Sequence, residues 1–402
     1  MKKQILILLT SAFLFSLIYS CNDAPKFKAL IITGQNNHNW KASSPILKQL
    51  LDQTGLFSSD IATSPEKKGD MSSFNPDFSK YNLVVLDYNG DSWNEKTKAA
   101  FLEFVKNGGG VVVYHAADNS FPAWKEYNEI IGLGGWGKRN EKSGPYVYYK
   151  NNVLVTDTTA GIAGSHGKRS EFLVKTRMAD HPITKGLPMR WMHGSDELYS
   201  QLRGPAQNMD ILATAFANPE QGTGRDEPML MTIKYGKGRI FHTALGHADD
   251  GGGPAMQCVG FIVTLQRGAE WAASGSVTQE VPLDFPNVAG VSIRPEFKQI
   301  TIEDDMASLV NYEIGKSTKY YTDLQGRMRR SAKKGESLQP YEKLMVKIIQ
   351  NDQATTEAKK LMLRELSWMG SDYCVPAVKN LATTADLKDE VYYTLARLKQ
   401  KN

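Results

Sequence analysis

Gly108-Gly109-Gly110-Val111-Val112-Val113-Tyr114-His115-Ala116-Ala117-Asp118 joins a glycine turn, a β-branched run and a histidine set directly after it. The run over Gly110–Tyr114 is short and has no polar face, which predicts a strand buried on both sides. Just before it, Glu95–Asn107 has the spacing of an amphipathic helix, closed by Gly108. The same alternation continues outward. A strand is expected over Lys28–Thr33, ending in a Gly34 loop. A helix follows over Ser44–Gln53, with Pro45 near its first turn and Gly55 after its end. Another buried strand covers Tyr81–Asp87. Strands alternating with helices predict an α/β fold, a mostly parallel sheet with helices on both faces. Ligands of such sheets bind beyond the carboxyl ends of the strands. Asn37-His38 and His115 both fall there.

Leu133–Arg203 is richer in glycine and aromatics and reads as an excursion over the sheet. Strands return over Asp210–Ala217, Met229–Tyr235 and Arg239–Thr243. Tyr235-Gly236-Lys237-Gly238-Arg239 has the form of a tight hairpin between the last two. One long helix is expected from Pro254 to about Ala273. Residues 276–339 carry Pro282, Pro286 and Pro295 and then polar residues, as a linker with little core of its own. Residues 340–402 form a small all-α region. Leu344, Ile348 and Ile349, then Leu361, Leu363, Leu366 and Met369, recur at helical spacing. Cys374-Val375-Pro376-Ala377-Val378 resembles a HEAT-like repeat. The region is short for a free-standing solenoid and is expected to pack on the main domain or on a protein partner.

The chain has 402 residues, 41% of them hydrophobic, as expected for a globular protein with a sizeable core. Lys2 and Lys3 precede an apolar stretch, Ile5–Leu17, that is too short for a comfortable membrane span. Ile18-Tyr19-Ser20-Cys21 resembles a bacterial lipobox. Residues 1–20 are therefore expected to be a lipoprotein signal peptide and Cys21 the lipidated N-terminus. That predicts a membrane-anchored lipoprotein of the periplasm or cell surface. The net charge of +5 is scattered. Its densest stretch, Arg327–Arg330 with Lys333-Lys334, reads as solvated, so no nucleic-acid partner is expected. Cys258 and Cys374 read as free buried thiols.

All seven histidines lie between His38 and His247, and none falls in the remaining 155 residues to Asn402. Imidazole titrates nearest neutral pH and is the commonest metal ligand, so this confinement points to one chemical site. His115 at a strand end, with Asp196-Glu197 on a loop, is suited to proton transfer. His38, His115 and His247 with Asp118 or Asp196 are the alternative, as ligands of a divalent metal. Asp249-Asp250, followed by Gly251-Gly252-Gly253, is either a further source of ligands or a mobile loop. No His-Glu-x-x-His or Cys-x-x-Cys spacing decides for a metal. A divalent metal stays possible as a cofactor and no nucleotide cofactor is expected: Gly108-Gly109-Gly110 precedes a strand instead of opening a helix, so its glycines read as a helix C-cap and turn. Trp40, Trp124 and Trp136 are either stacking surfaces for sugar rings or core.

Several of these segments, in this order, resemble the ThuA-like family, named for trehalose utilisation. They are Gly34 with Asn37-His38-Asn39-Trp40, Gly108–Val111 leading to His115-Ala116-Ala117-Asp118, His181-Pro182 to Leu187-Pro188, His193 with Asp196-Glu197-Leu198-Tyr199, Tyr235–Phe241, and Leu245-Gly246-His247. The resemblance spans roughly Lys28 to Gly275, within a domain of residues 21–275. It implies a flavodoxin-like fold related to class I glutamine amidotransferases and a link to sugar breakdown, often beside oxidoreductases that make 3-keto sugars. Those amidotransferases carry a cysteine nucleophile where this chain has His115, so thiol chemistry is not expected. The implied substrate is a keto-glycoside or related small sugar, whose carbonyl acidifies the neighbouring C–H. Lyase, hydrolase or isomerase chemistry would use the same groups. His115, Glu197 and Asp196 are the expected catalytic residues. His38, Trp40, Asp118, His181, His193 and His247 are the expected substrate contacts. A non-catalytic sugar-binding or scaffolding lipoprotein is the rival reading.

Overall fold

The computed structural model describes residues 24–249, 251–298, 302–333 and 335–400. The readings of the export signal, Cys21, Asp250 and Lys334 concern positions outside these. The chain divides between Lys298 and Gln299 into two compact units.

The first unit is built on an eleven-stranded sheet. Its strands are β1 (Phe27–Thr33), β2 (Phe57–Thr63), β3 (Leu83–Leu86), β4 (Gly110–Tyr114), β5 (Tyr146–Lys150), β6 (Val153–Asp157), β7 (Ser170–Thr176), β8 (Arg190–Asp196), β9 (Met209–Phe216), β10 (Asp226–Tyr235) and β11 (Gly238–Thr243). Its helices are α1 (Trp40–Asp52), α2 (Glu95–Lys106), α3 (Lys125–Ile131), α4 (Gly253–Gln257) and α5 (Val259–Ser274). The sheet order is β2-β1-β3-β4-β11-β10-β9-β7-β8, with β5 and β6 branching from β10. β2, β1, β3, β4 and β11 are mutually parallel. From β11 onward every pairing is antiparallel.

The sheet is therefore mixed, not mostly parallel. Leu133–Arg203 does not lie over the sheet: β5, β7 and β8 extend it on its antiparallel side. The short aromatic segments looked like loops because each is exposed on one face, as in β7 and β8, whose buried residues alternate. In β3 and β4, by contrast, every residue is buried, so both faces are covered. α5 lies along β4 and β11 and meets α1, while α3 meets β10 and β11.

Two helices differ from expectation. α1 starts at Trp40, a turn before Ser44, which puts Pro45 inside it. The long C-terminal helix is broken at Cys258, whose backbone is extended and bridges Ile293. Val259 N–H donates to Ser292 and Arg294 N–H to Gln257, which stitches residues 276–298 to the break. Phe285 and Phe297 are buried in the same core. This half of the expected linker thus belongs to the first unit, held by apolar anchors that its prolines obscured.

The rest of the expected linker belongs to the second unit. Its helices are α6 (Ile302–Leu309), α7 (Lys319–Lys333), α8 (Gln339–Ile349), α9 (Thr356–Met369), α10 (Val375–Asn380) and α11 (Lys388–Lys399). α6 pairs with α7, α8 with α9, and α9 with α11. Leu324 and Met328 of α7 join Met345, Leu363, Leu366 and Val391 in a separate core. Within it, Glu365 accepts hydrogen bonds from Tyr321, Gln325 and Trp368 at 2.6–2.7 Å. No described helix is long and apolar enough to cross a membrane.

Candidate functional site

β1, β3, β4 and β11 run side by side in one direction, so the loops after them meet at one edge. His38 follows β1, His115 follows β4 and His247 follows β11. β8, at the sheet's far end, packs on α4 and α5 and delivers Glu197 to the same place. His38, His115, Glu197 and His247 each present one ligand atom, and these lie within 4.8 Å of one another.

Glu197 is the centre. Its Oε2 lies 3.3 Å from His38 Nε2, 3.8 Å from His115 Nε2 and 3.2 Å from His247 Nδ1. Its other oxygen, Oε1, lies 3.8 Å from His166 Nε2. The His115 side chain is 1% exposed and those of His38, His247 and Glu197 no more than 12%. Burial alone would raise the Glu197 pKa, but its histidine partners outweigh that and hold the carboxyl far below its usual range. Burial pushes His38 down to about 4, so at neutral pH it is uncharged. In His247 burial is outweighed by Glu197 and the pKa is raised.

His115 opens a 3-10 turn, His115–Asn119, with φ 44°, in the left-handed region. That costs a non-glycine residue about 1–2 kcal/mol and is kept where the surroundings over-determine it. Here β4 holds its backbone and its Nδ1 meets the Ala244 carbonyl at 2.8 Å. A carbonyl only accepts, so Nδ1 carries a proton, and Nε2 faces Glu197. Tyr199 stacks on the ring, centroids 4.4 Å apart. His247 repeats the arrangement: Nε2 meets Asp249 at 3.2 Å and Nδ1 faces the cluster. Arg169 in turn pairs with Asp249.

Asp196 works from behind. Successive strand residues face opposite sides, and Asp196 is fully buried where Glu197 reaches the pocket. Its carboxylate accepts the N–H groups of Glu197 (2.6 Å), Gly246 (2.7 Å) and His247 (3.2 Å). It also meets His193 Nε2 at 2.7 Å. One carboxylate thus fixes the backbone of two cluster residues. Burial would raise its pKa, but His193 outweighs it and the net shift is downward. Asp196 is a positioning group and does not reach the pocket.

Other expected contacts also lie elsewhere. His193 is fully buried between Asp196 and Cys258, because its strand position faces α4 and α5. His193 lowers the Cys258 thiol pKa against the effect of burial, yet Cys258 is fully enclosed and reaches no substrate. Asp118 is also fully enclosed, 3.8 Å from His242, and burial pushes its carboxyl well up. His181 shapes its own turn, its Nδ1 accepting from Ile183 N–H, and packs on Trp271. Trp40 starts α1, with Lys41 over its ring. Trp124 packs among Trp93, Phe121 and Tyr127.

Above the cluster is a cavity of about 520 Å³. Asn37, Asn89 and Asn119 line it with Trp136, Tyr199 and His166. Asn37 lies at the edge where the sequence places it beside His38, while Asn89, Asn119 and His166 are absent from the sequence-derived set. His166 follows no strand, so nothing in the local pattern marked it.

His115 Nε2 and His247 Nδ1 are buried with no hydrogen-bond partner among the described residues. Ring nitrogens aimed at one point, with the opposite ring nitrogens held by a carbonyl and a carboxylate, are how metal-binding imidazoles are oriented. Ligands about 2.1 Å from a tetrahedral ion lie about 3.4 Å apart. The 3.2–3.8 Å separations around Glu197 Oε2 fit that spacing. The four residues suit a divalent ion taking N and O ligands.

Fold and site define an α/β protein with a mixed sheet and a histidine–carboxylate cluster at the carboxyl edge of its parallel half. The chain belongs to the ThuA family, described as trehalose utilisation, whose model matches residues 28–272. It is similar to a crystal structure of a ThuA-like protein from Parabacteroides merdae, 56% identical, with a TM-score of 0.67, over 68% of this chain and 99% of that one. A ThuA-like protein from Bacteroides uniformis is 20% identical, with a TM-score of 0.41, over 64% of this chain and 94% of that one. Among curated proteins no sequence matches.

Proposed function

We propose that this chain is a divalent-metal-dependent enzyme of carbohydrate breakdown, acting on a keto-glycoside or related sugar by lyase, hydrolase or isomerase chemistry. The observation that carries it is the convergence of three imidazoles on Glu197 Oε2, with two of their far nitrogens anchored. The family description, trehalose utilisation, supports a carbohydrate substrate. So does the cavity: three carboxamides offer donors and acceptors for hydroxyls, and Trp136 offers a ring face. A bound divalent ion would act as a Lewis acid on a sugar carbonyl or hydroxyl oxygen. His115 and His247 would each contribute a ring nitrogen held at a fixed angle. Glu197 contributes the one negative charge, and Tyr199 closes one wall. The parallel half, ordered β2-β1-β3-β4-β11, supports the flavodoxin-like kinship, with His115 at the strand end where the amidotransferase relatives have their nucleophile.

We place the enzyme outside the cytoplasm, tethered through a lipidated Cys21, on the strength of Lys2-Lys3, Ile5–Leu17 and Ile18-Tyr19-Ser20-Cys21. The activity is tested by incubating the purified protein with 3-keto disaccharides, with and without a chelator. Turnover that a chelator abolishes and added zinc or manganese restores is the expected result. Turnover indifferent to the chelator would remove the metal from the reading, and no turnover of any keto sugar would remove the substrate.

A further inference from the structure

The cavity above the cluster is not the whole site. A second cavity of about 730 Å³ adjoins it, and His166 and Glu197 line both. The first is walled by carboxamides and Trp136. The second is walled by Lys168, Arg169, Glu220 and Gln221. Each alone falls within the usual range for a small-ligand pocket, roughly 300–1,000 Å³.

His166 stands where they meet. It lies on the connection between β6 and β7, yet its position is set by backbone pairing. Ser165 and Ser200 exchange N–H and C=O bonds in both directions, at 2.9 and 2.8 Å. Gly164 N–H donates to Gln201, one residue further on. The His166 loop is thereby tied to the segment that leads out of Glu197. Its Nδ1 meets the Gly167 carbonyl at 2.9 Å, which makes Nδ1 a donor. Nε2 faces Glu197 Oε1 at 3.8 Å, too far for a hydrogen bond and far enough for an oxygen atom to approach between. The His166 side chain is 37% exposed, against 12% or less for the three histidines around Oε2. Glu197 therefore divides its oxygens: one serves the cluster, the other faces a reachable imidazole.

We propose that His166 is the proton donor to the leaving group, and that the substrate is a glycoside of at least two rings. Its reacting keto ring lies in the carboxamide cavity and its leaving ring in the cavity of Lys168, Arg169, Glu220 and Gln221. This rests on the functional reading above. In the step assigned here the carbon between the carbonyl and the glycosidic carbon loses its proton to water, that C–H electron pair forms a double bond to the glycosidic carbon, and the bond from the glycosidic carbon to oxygen breaks with its electron pair going to oxygen. That oxygen takes the proton from His166 Nε2, and the neutral imidazole regains a proton from water.

The test compares two probes on the intact protein: a 3-keto disaccharide, whose leaving alcohol needs a proton, and a 4-nitrophenyl 3-keto glycoside, whose leaving phenolate does not. His166→Ala and His166→Gln should each lower kcat on the disaccharide by about 10²–10⁴-fold. On the nitrophenyl probe both should lose at least tenfold less kcat than on the disaccharide, while bound metal per chain stays unchanged. Equal losses on both probes, or no loss on the disaccharide, overturn the assignment. A wild-type protein that turns over the nitrophenyl probe but no disaccharide keeps the functional reading and overturns the two-ring substrate. A wild-type protein that turns over neither overturns the functional reading, and the assignment falls with it.

Discussion

Asp196 and Glu197 are adjacent at the end of β8, yet one is enclosed and the other lines the cavity. Which of the two reaches the site depends on strand register, and a two-residue acidic motif does not encode register. The sequence could nominate both and could not separate them. His115 was easier, since a buried β-branched run followed at once by histidine defines a strand end. His166 had no such flank. Two predictions belong at this scale. Asp196→Asn leaves His193 and three backbone amides facing a side chain that accepts less and carries no charge. Breaking such a buried pair costs about 3–5 kcal/mol, readable by urea unfolding. A loss under about 1 kcal/mol would contradict the positioning role. The pair also has a pH signature. The Asp196 pKa is lowered on folding, so its contribution is present above about 3.9 and lost as pH falls through the folded value. The His193 pKa is raised, so its contribution is present below about 6.5 and lost as pH rises through the folded value. The stability gap between wild type and Asp196→Asn should narrow at either extreme of pH; a gap constant from pH 4 to pH 10 would tell against it.

The loop after β11 shows how an element places a side chain. Gly246 has φ 104°, and an added Cβ would lie 2.5 Å from the Phe261 ring and 2.8 Å from Tyr114. Gly246→Ala should therefore cost about 1–3 kcal/mol from backbone strain alone. It should also shift His247 and weaken zinc binding at least tenfold by calorimetric titration. Unchanged zinc affinity would mean that the loop does not set the His247 position. The parallel strands were legible because burial on both faces leaves an uninterrupted apolar run, as in Val111-Val112-Val113. β7 and β8 were not, because one exposed face dilutes the pattern and Gly194 interrupts it. Cys258 broke a helix that looked continuous, since its extended backbone is set by pairing with Ile293, far along the chain. Among the described side chains of α7, Leu324 and Met328 are the buried ones, one turn apart among basic residues, which is why it read as linker.

At the scale of the molecule, each unit has its own core. The similar Parabacteroides merdae structure matches over 99% of its length while covering 68% of this chain. Residues 24–298 alone should therefore fold cooperatively and bind metal as the full chain does; a truncated protein without a cooperative melt would show that the second unit completes the fold. Proton competition follows from the same site. The His247 pKa is raised, so a proton must leave as an ion enters, and zinc affinity should rise with pH through the folded His247 value. Affinity equal at pH 5.5 and 7.5 would contradict ligation by that ring. The most direct measurement is the amount of zinc or manganese bound per chain in the intact protein, compared with His115→Ala and Glu197→Gln. One ion per wild-type chain is expected, with binding lost in both variants while their melting temperatures stay within a few degrees. Wild-type protein that binds no divalent ion, or variants that bind it as well as wild type, would contradict the metal centre on which the proposed function rests.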